Sequence, residues 1–241
     1  FNFLMFQSNK EYLEFLKQSG VHSFLQETPN NLIKEKQIDN KITKNKDIKK
    51  LDEVTEIKDL IPLIVSHNST LKKTAKNLVL FDGNIKSKLM IIGEAPGHDE
   101  DIQGLPFVGR AGELLNKMLT AIQLNRNDVY ITNVIPWRPP QNRTPTDQEI
   151  LEFLPFLQRQ IEIINPKFIY LLGGTAAKAI LSTPLSVGKL RGDWHEYKSI
   201  NMEKSVKVLV SYHPAFLLRS PNFKKEAWSD LQKLEKELNE N

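Results

Sequence analysis

Glu94, Asn133 and His213 each close a short β-rich run, and together they bring a carboxylate, an amide and an imidazole to the ends of predicted strands. An amide offers one acceptor and two donors side by side, the complement of a pyrimidine edge that presents a carbonyl next to an N–H. Uracil has that edge and cytosine does not. Plainer readings stand beside each residue. Glu94, in Gly93-Glu94-Ala95-Pro96-Gly97, could be a solvated turn residue, Asn133 a cap, and His213 a satisfied core histidine. The glycine turn lacks the Lys-Ser/Thr ending of a phosphate loop and does not match Gly-x-Gly-x-x-Gly, so nucleoside triphosphate binding is not expected. Its glycines would instead let backbone amides approach a planar ligand.

His213 leads through Pro214 into Phe216-Leu217-Leu218-Arg219. Apolar side chains next to an arginine suit a wedge that unstacks a base step while the guanidinium contacts phosphate. The alternative is a short helix that buries its leucines.

These residues need a scaffold that gathers strand ends. The strands expected are Lys88–Glu94, Asp128–Ile135, Phe168–Gly173 and Val206–Tyr212, alternating with amphipathic helices in the pattern of an α/β domain with a mostly parallel sheet. In such sheets the ligand crevice lies at the carboxyl ends of the strands. Helix Gly112–Leu124 is expected to bury Leu115, Met118, Leu119 and Ile122. Helix Asp147–Ile164 opens on a Thr146/Glu149 capping box, and the last helix starts near Ser220-Pro221 and runs towards Leu238. Three segments follow: a short helical stretch over 1–27, a Lys/Asn-rich linker over 28–56, and a catalytic domain over 57–241. The stripe Tyr12, Leu13, Phe15 and Leu16 marks the N-terminal helix, which could dock on an unidentified partner or pack on the core.

A chain of 241 residues with 40% hydrophobic residues suits one well-packed domain with an appendage. Cysteine is absent, which excludes disulfides, thiolate nucleophiles and cysteine-held metal centres. A net charge of +4 barely favours nucleic acid as a partner. No apolar stretch approaches the roughly 20 residues of a membrane span, and Phe1 to Phe6 lack the features of a signal peptide, so a cytoplasmic protein is expected.

Five ordered motifs carry a family likeness. They are Gly93-Glu94-Ala95-Pro96-Gly97, Glu100-Asp101, Gly104-Leu105-Pro106-Phe107-Val108-Gly109-Arg110-Ala111-Gly112, Thr132-Asn133 followed by Arg138-Pro139-Pro140-Gln141-Asn142-Arg143, and His213-Pro214-Ala215-Phe216-Leu217-Leu218-Arg219. From about Leu71 to Leu234 the chain resembles the family four uracil-DNA glycosylases. The resemblance implies a three-layer α/β/α sandwich with a central four-stranded parallel sheet. It implies an enzyme that excises uracil from DNA and acts as a monomer. Phe107 would stack on the flipped base, Asn133 would read its edge, and Glu100 and Asn142 would complete the pocket. Glu94 would sit beside the scissile bond, His213 would donate to O2, and Leu217, Leu218 and Arg219 would enter the duplex. The related family one enzymes carry an aspartate where this chain has Ala95, so no dedicated strong base is assigned.

Family four enzymes usually hold a four-iron, four-sulfur cluster on four cysteines, and none is present here. By motif spacing the ligand positions fall near Ser66 and Ser69 and at Trp137 and Phe153. Serine is a poor ligand for such iron, and Trp and Phe cannot ligate it. No metal and no cofactor are therefore expected, with Trp137 and Phe153 plugging the volume. A cluster-less, non-catalytic DNA-binding or polymerase-associated relative is the alternative. A glycosidase of another kind, using Glu94 and Glu100 as paired carboxylates, is a third. The covalent-trapping subgroup carries an insert that is missing here, because Gly109 runs straight into a helix.

Overall fold

The structure is a computed structural model that describes residues 51–240, all within one compact unit, 44–241. In chain order the main elements are α1 (Ile57–Ser66), β1 (Phe81–Gly83), β2 (Leu89–Gly93), α2 (His98–Gln103), α3 (Arg110–Ala121), β3 (Tyr130–Asn133) and α4 (Asp147–Ile164). They continue with β4 (Phe168–Leu172), α5 (Gly174–Leu181), α6 (Val187–Leu190), β5 (Trp194–Tyr197), β6 (Val206–Ser211), α7 (Pro214–Arg219) and α8 (Lys224–Glu240). The N-terminal helix expected from Tyr12–Leu16 and most of the linker lie outside the described residues.

The sheet has six strands in the order β1-β3-β2-β4-β6-β5. Its central four, β3-β2-β4-β6, are parallel, as expected, and each edge carries an antiparallel strand. The two edge strands are the correction to the expected four. β1 is three half-buried residues long, and β5 buries only Tyr197 of its four, so neither carries an alternation that sequence could reveal.

β2, β3 and β4 are buried along their whole length, and β6 at every position but Lys207, because both faces are covered. On β2, Met90 and Ile92 join a cluster with Phe153, Leu157 and Ile161 of α4. Leu89 and Ile91 point the other way, into a cluster with Leu115 and Leu119 of α3 and Leu231 of α8. This alternation makes the three-layer α/β/α sandwich. Helix α4 begins where its capping box predicts: Thr146 Oγ1 accepts from Glu149 N at 3.2 Å, and Glu149 Oε2 accepts from Thr146 N at 2.8 Å.

The compact unit takes in residues before 57. Leu51 and Val54 are buried in the α4-side core, and the Arg159 guanidinium holds the Val54 carbonyl through Nε at 2.8 Å. Two isolated apolar residues within a polar run leave no period to detect. Among the described residues no helix is long and apolar enough to cross a membrane.

Candidate active site

Parallel pairing fixes where the chemistry gathers. β2 and β3 end in register, with Gly93 opposite Asn133, so the loops after both strands open at one edge of the sheet. There a cavity of about 180 Å³ is lined by Glu94, Glu100, Phe107, Asn133, Asn142 and His213 among others. All six pocket residues singled out in the sequence thus meet at one place. The space is smaller than the roughly 300–1,000 Å³ of drug-sized sites, on the scale of a single small ring. Gly93 lets two of its walls close in: a Cβ there would lie 2.5 Å from both Asn133 Oδ1 and Phe107 Cζ.

Phe107 is buried and sits at φ 54°, a left-handed conformation that aromatic residues seldom adopt. Its ring lies 5.5 Å from that of His213 at an interplanar angle of 26°, and both side chains line the cavity. Glu100 shapes this loop from below. Its carboxylate accepts from Gly97 N at 3.1 Å, Val108 N at 3.1 Å and Gly109 N at 3.0 Å, tying the loop after β2 to the Phe107 segment. With both oxygens engaged by backbone, Glu100 is a scaffold of the cavity wall.

His213 caps α7. Its Nδ1 accepts from Ala215 N at 3.1 Å, which leaves the ring proton of the neutral form on Nε2. Burial, with a smaller contribution from the Arg219 charge, pushes its pKa down to about 4. At neutral pH the ring is therefore an uncharged Nε2–H donor. Gly173, at φ 96°, lets it approach: a Cβ there would lie 3.1 Å from His213 Cβ.

Asn142, also left-handed at φ 56°, has its Oδ1 engaged by Arg138 Nε at 2.6 Å, so its amide NH₂ is the end left to a ligand. Arg143, another lining residue, forks onto Glu149 at 2.6 and 2.7 Å and anchors this loop to α4. That hydrogen-bonded pairing holds the Glu149 carboxyl down at about 2. Glu94 Oε2 accepts a hydrogen bond from Thr175 Oγ1 on the first turn of α5. Sequence reasoning stopped at Gly173-Gly174 and missed Thr175. The signal was a hydroxyl two residues beyond a strand end.

The three-residue wedge needs correction. Residues 214–219 form a helix, and Leu217 is only 1% exposed because its face packs towards α3 and α8. Leu218, 36% exposed, and Arg219 remain at the surface. Helical geometry separates neighbours by about 100°, so two adjacent leucines seldom share a face.

A model of the uracil DNA glycosylase superfamily matches residues 80–232, the span that carries every one of these features. The chain belongs to that superfamily. The type-4 uracil-DNA glycosylase of Archaeoglobus fulgidus is 42% identical over 181 residues, covering 73% of this chain and 90% of that protein. The type-4 enzyme of Pyrobaculum aerophilum is 39% identical over 189 residues, 77% and 91% of the two chains. That of Thermotoga maritima is 44% identical over 148 residues, 60% of this chain and 73% of the relative. Identity at this level and coverage places the chain in the type-4 branch of the glycosylases.

The cluster positions do not fit an iron–sulfur group. Ser66 Oγ donates to Leu63 O at 3.1 Å, and Ser69 Oγ accepts from Leu71 N at 3.3 Å. Phe153 is fully buried in a T-shaped contact with His67, ring centroids 5.7 Å apart, and His67 Nε2 pairs with Glu152 Oε1 at 3.1 Å. Trp137 is buried in the same core, and its indole can only donate. Hydroxyls, a phenyl ring and an indole offer no thiolate. Among the described residues no group of three His, Asp or Glu side chains could hold a metal ion either.

Proposed function

We propose that this protein excises uracil from DNA by hydrolysing the bond between the base and its deoxyribose, the opening step of base excision repair. The observation that carries the reading is the meeting of Phe107, Asn133, His213 and Glu94 around one cavity of single-base size.

Each group has a task in that reaction. The flipped uracil stacks on Phe107, which offsets part of the few kcal/mol lost on unstacking. Asn133 accepts from uracil N3–H through its amide oxygen and donates to O4 through its NH₂. As the bond from N1 to C1′ breaks, the electron pair stays on uracil and O2 gains charge. The neutral His213 donates from Nε2 to that oxygen, and it needs no proton transfer to do so. The sugar gains oxocarbenium character beside the Glu94 carboxylate. Water adds its hydroxyl to C1′ and its proton neutralises the departing uracil, leaving an abasic site. The exposed Leu218 and Arg219 engage the duplex, the leucine at the vacated step and the arginine at phosphate.

Action as a monomer belongs to the same reading, with Phe107, Asn133, His213 and Glu94 all lining one cavity within the chain. We read the reaction as needing no metal or cofactor, with the aromatic core at Trp137 and Phe153 standing where relatives keep a cluster. Anaerobically purified protein is expected to be colourless, and a reproducible iron–sulfur absorption band would refute that part. The activity is tested by incubating the protein with uracil-containing and matched thymine-containing oligonucleotides, followed by alkali. Strand cleavage confined to the uracil substrate is expected, and its absence at high enzyme leaves a DNA-binding relative without catalysis.

A further inference from the structure

The base platform is held from outside the cavity. Phe107 occupies a left-handed conformation, and such a residue persists only where its surroundings impose it. In an extended strand the carbonyls of successive residues turn to opposite sides, whereas here those of Pro106 and Phe107 face one guanidinium. Arg126 NH1 donates to Phe107 O at 3.0 Å, and NH2 donates to Pro106 O. The third edge, Nε, donates to the Asp82 carboxylate, and NH1 also reaches Asn116 Oδ1 at 3.2 Å.

We propose that Arg126, aimed by Asp82, is the positioning residue that sets the Phe107 ring against the base-binding cavity. The inference rests on the reading of that cavity as a uracil site, since neither Arg126 nor Asp82 lines it.

Local construction supports this. Asp82 lies on β1, the antiparallel edge strand, opposite Ile131 of β3, so the edge strand delivers the carboxylate beneath Arg126. Gly83, at φ 90°, lets the turn carrying Arg126 seat on that strand: a Cβ there would lie 2.0 Å from Val129 O and 2.7 Å from Arg126 O. On the far side of the Phe107 carbonyl stands Gly112, where a Cβ would come within 1.8 Å of the oxygen. The carbonyl is thus gripped by a guanidinium on one side and admitted by a missing side chain on the other. A lysine could not replace this fork, because one ammonium cannot span two carbonyls and a carboxylate in fixed geometry.

The test compares Arg126→Lys and Asp82→Asn with the unaltered protein. Base capture requires the ring in place, whereas DNA affinity comes mainly from the phosphates. Arg126→Lys is therefore expected to lose about 10- to 100-fold in kcat on uracil-containing oligonucleotide while KM changes by about threefold or less. Asp82→Asn is expected to lose less, in the same sense. Ring resonances of ¹³C-phenylalanine-labelled protein, assigned with Phe107→Leu, report the ring whether or not uracil is cleaved. A shifted or broadened Phe107 signal in both variants, with the other phenylalanine signals retained, supports positioning. If the unaltered protein proves inactive but the Phe107 signal still moves, the function fails and the positioning stands. Phe107 signals and kcat both unchanged in Arg126→Lys would overturn the proposal.

Discussion

The Thr175 hydroxyl donates to Oε2 of Glu94, so a residue on α5 sets the carboxylate that follows β2. One carboxylate oxygen is thereby committed, and Oε1 remains to face developing charge or water. Thr175→Val keeps the shape and removes the donor. A hydrogen bond to a carboxylate is worth about 1.5 kcal/mol, so single-turnover excision is expected to slow roughly tenfold, with Thr175→Ser restoring most of it. Equal rates in all three proteins would show that Glu94 needs no such support.

The His213 ring stays neutral until the pH falls towards 4. Its pKa is about 4 in the folded chain against 6.5 ordinarily, so between those values the unfolded chain binds the extra proton. Stability contributed by the neutral ring is therefore present above pH 6.5 and lost as pH falls towards 4. ¹⁵N NMR is expected to report an Nε2–H tautomer persisting to pH 5, and His213→Asn should flatten the dependence of Tm on pH in this window. Titration of the ring near 6.5 would contradict the desolvated pocket.

The proposed role of Asn133 is to choose the base by pairing geometry. In Asn133→Asp the carboxylate cannot donate to O4, and a hydrogen-bonding site left mispaired discriminates against its former ligand by orders of magnitude. Excision of uracil is expected to fall on the order of 10³-fold or more, measured as kcat/KM on matched uracil and cytosine oligonucleotides, with the preference between the two bases narrowed. Unaltered base selection would remove Asn133 from recognition.

Leu217 and Leu218 should separate cleanly. Leu217→Ala opens a cavity in a packed interface and is expected to cost about 2–5 kcal/mol of stability, read by denaturant unfolding. Leu218→Ala should leave the unfolding midpoint almost unchanged while slowing excision from paired DNA more than from single strands, because only the duplex has a step to wedge. The reverse pattern would return the wedge to Leu217.

Much of the site was legible because it is built from strand ends. A run such as Leu89-Met90-Ile91-Ile92 declares a strand buried on both faces, and parallel pairing then sends Glu94, Asn133 and His213 to one edge. Thr146 and Glu149 announced the start of α4 through local hydrogen bonding alone. The edge strands were not legible, because three or four half-buried residues leave no period.

By itself, then, the sequence determined the layered α/β frame, the residues that meet in the cavity and the lack of any thiolate to hold a cluster. These follow from local pattern and residue chemistry, which neighbours in sequence carry. Tertiary structure alone decided that His213 is a neutral donor, that Leu217 faces inward, and that Thr175 and Arg126 support Glu94 and Phe107 from other elements. Desolvation, helix orientation and hydrogen bonds across many residues of chain depend on what packs against what. No spacing along the chain encodes them.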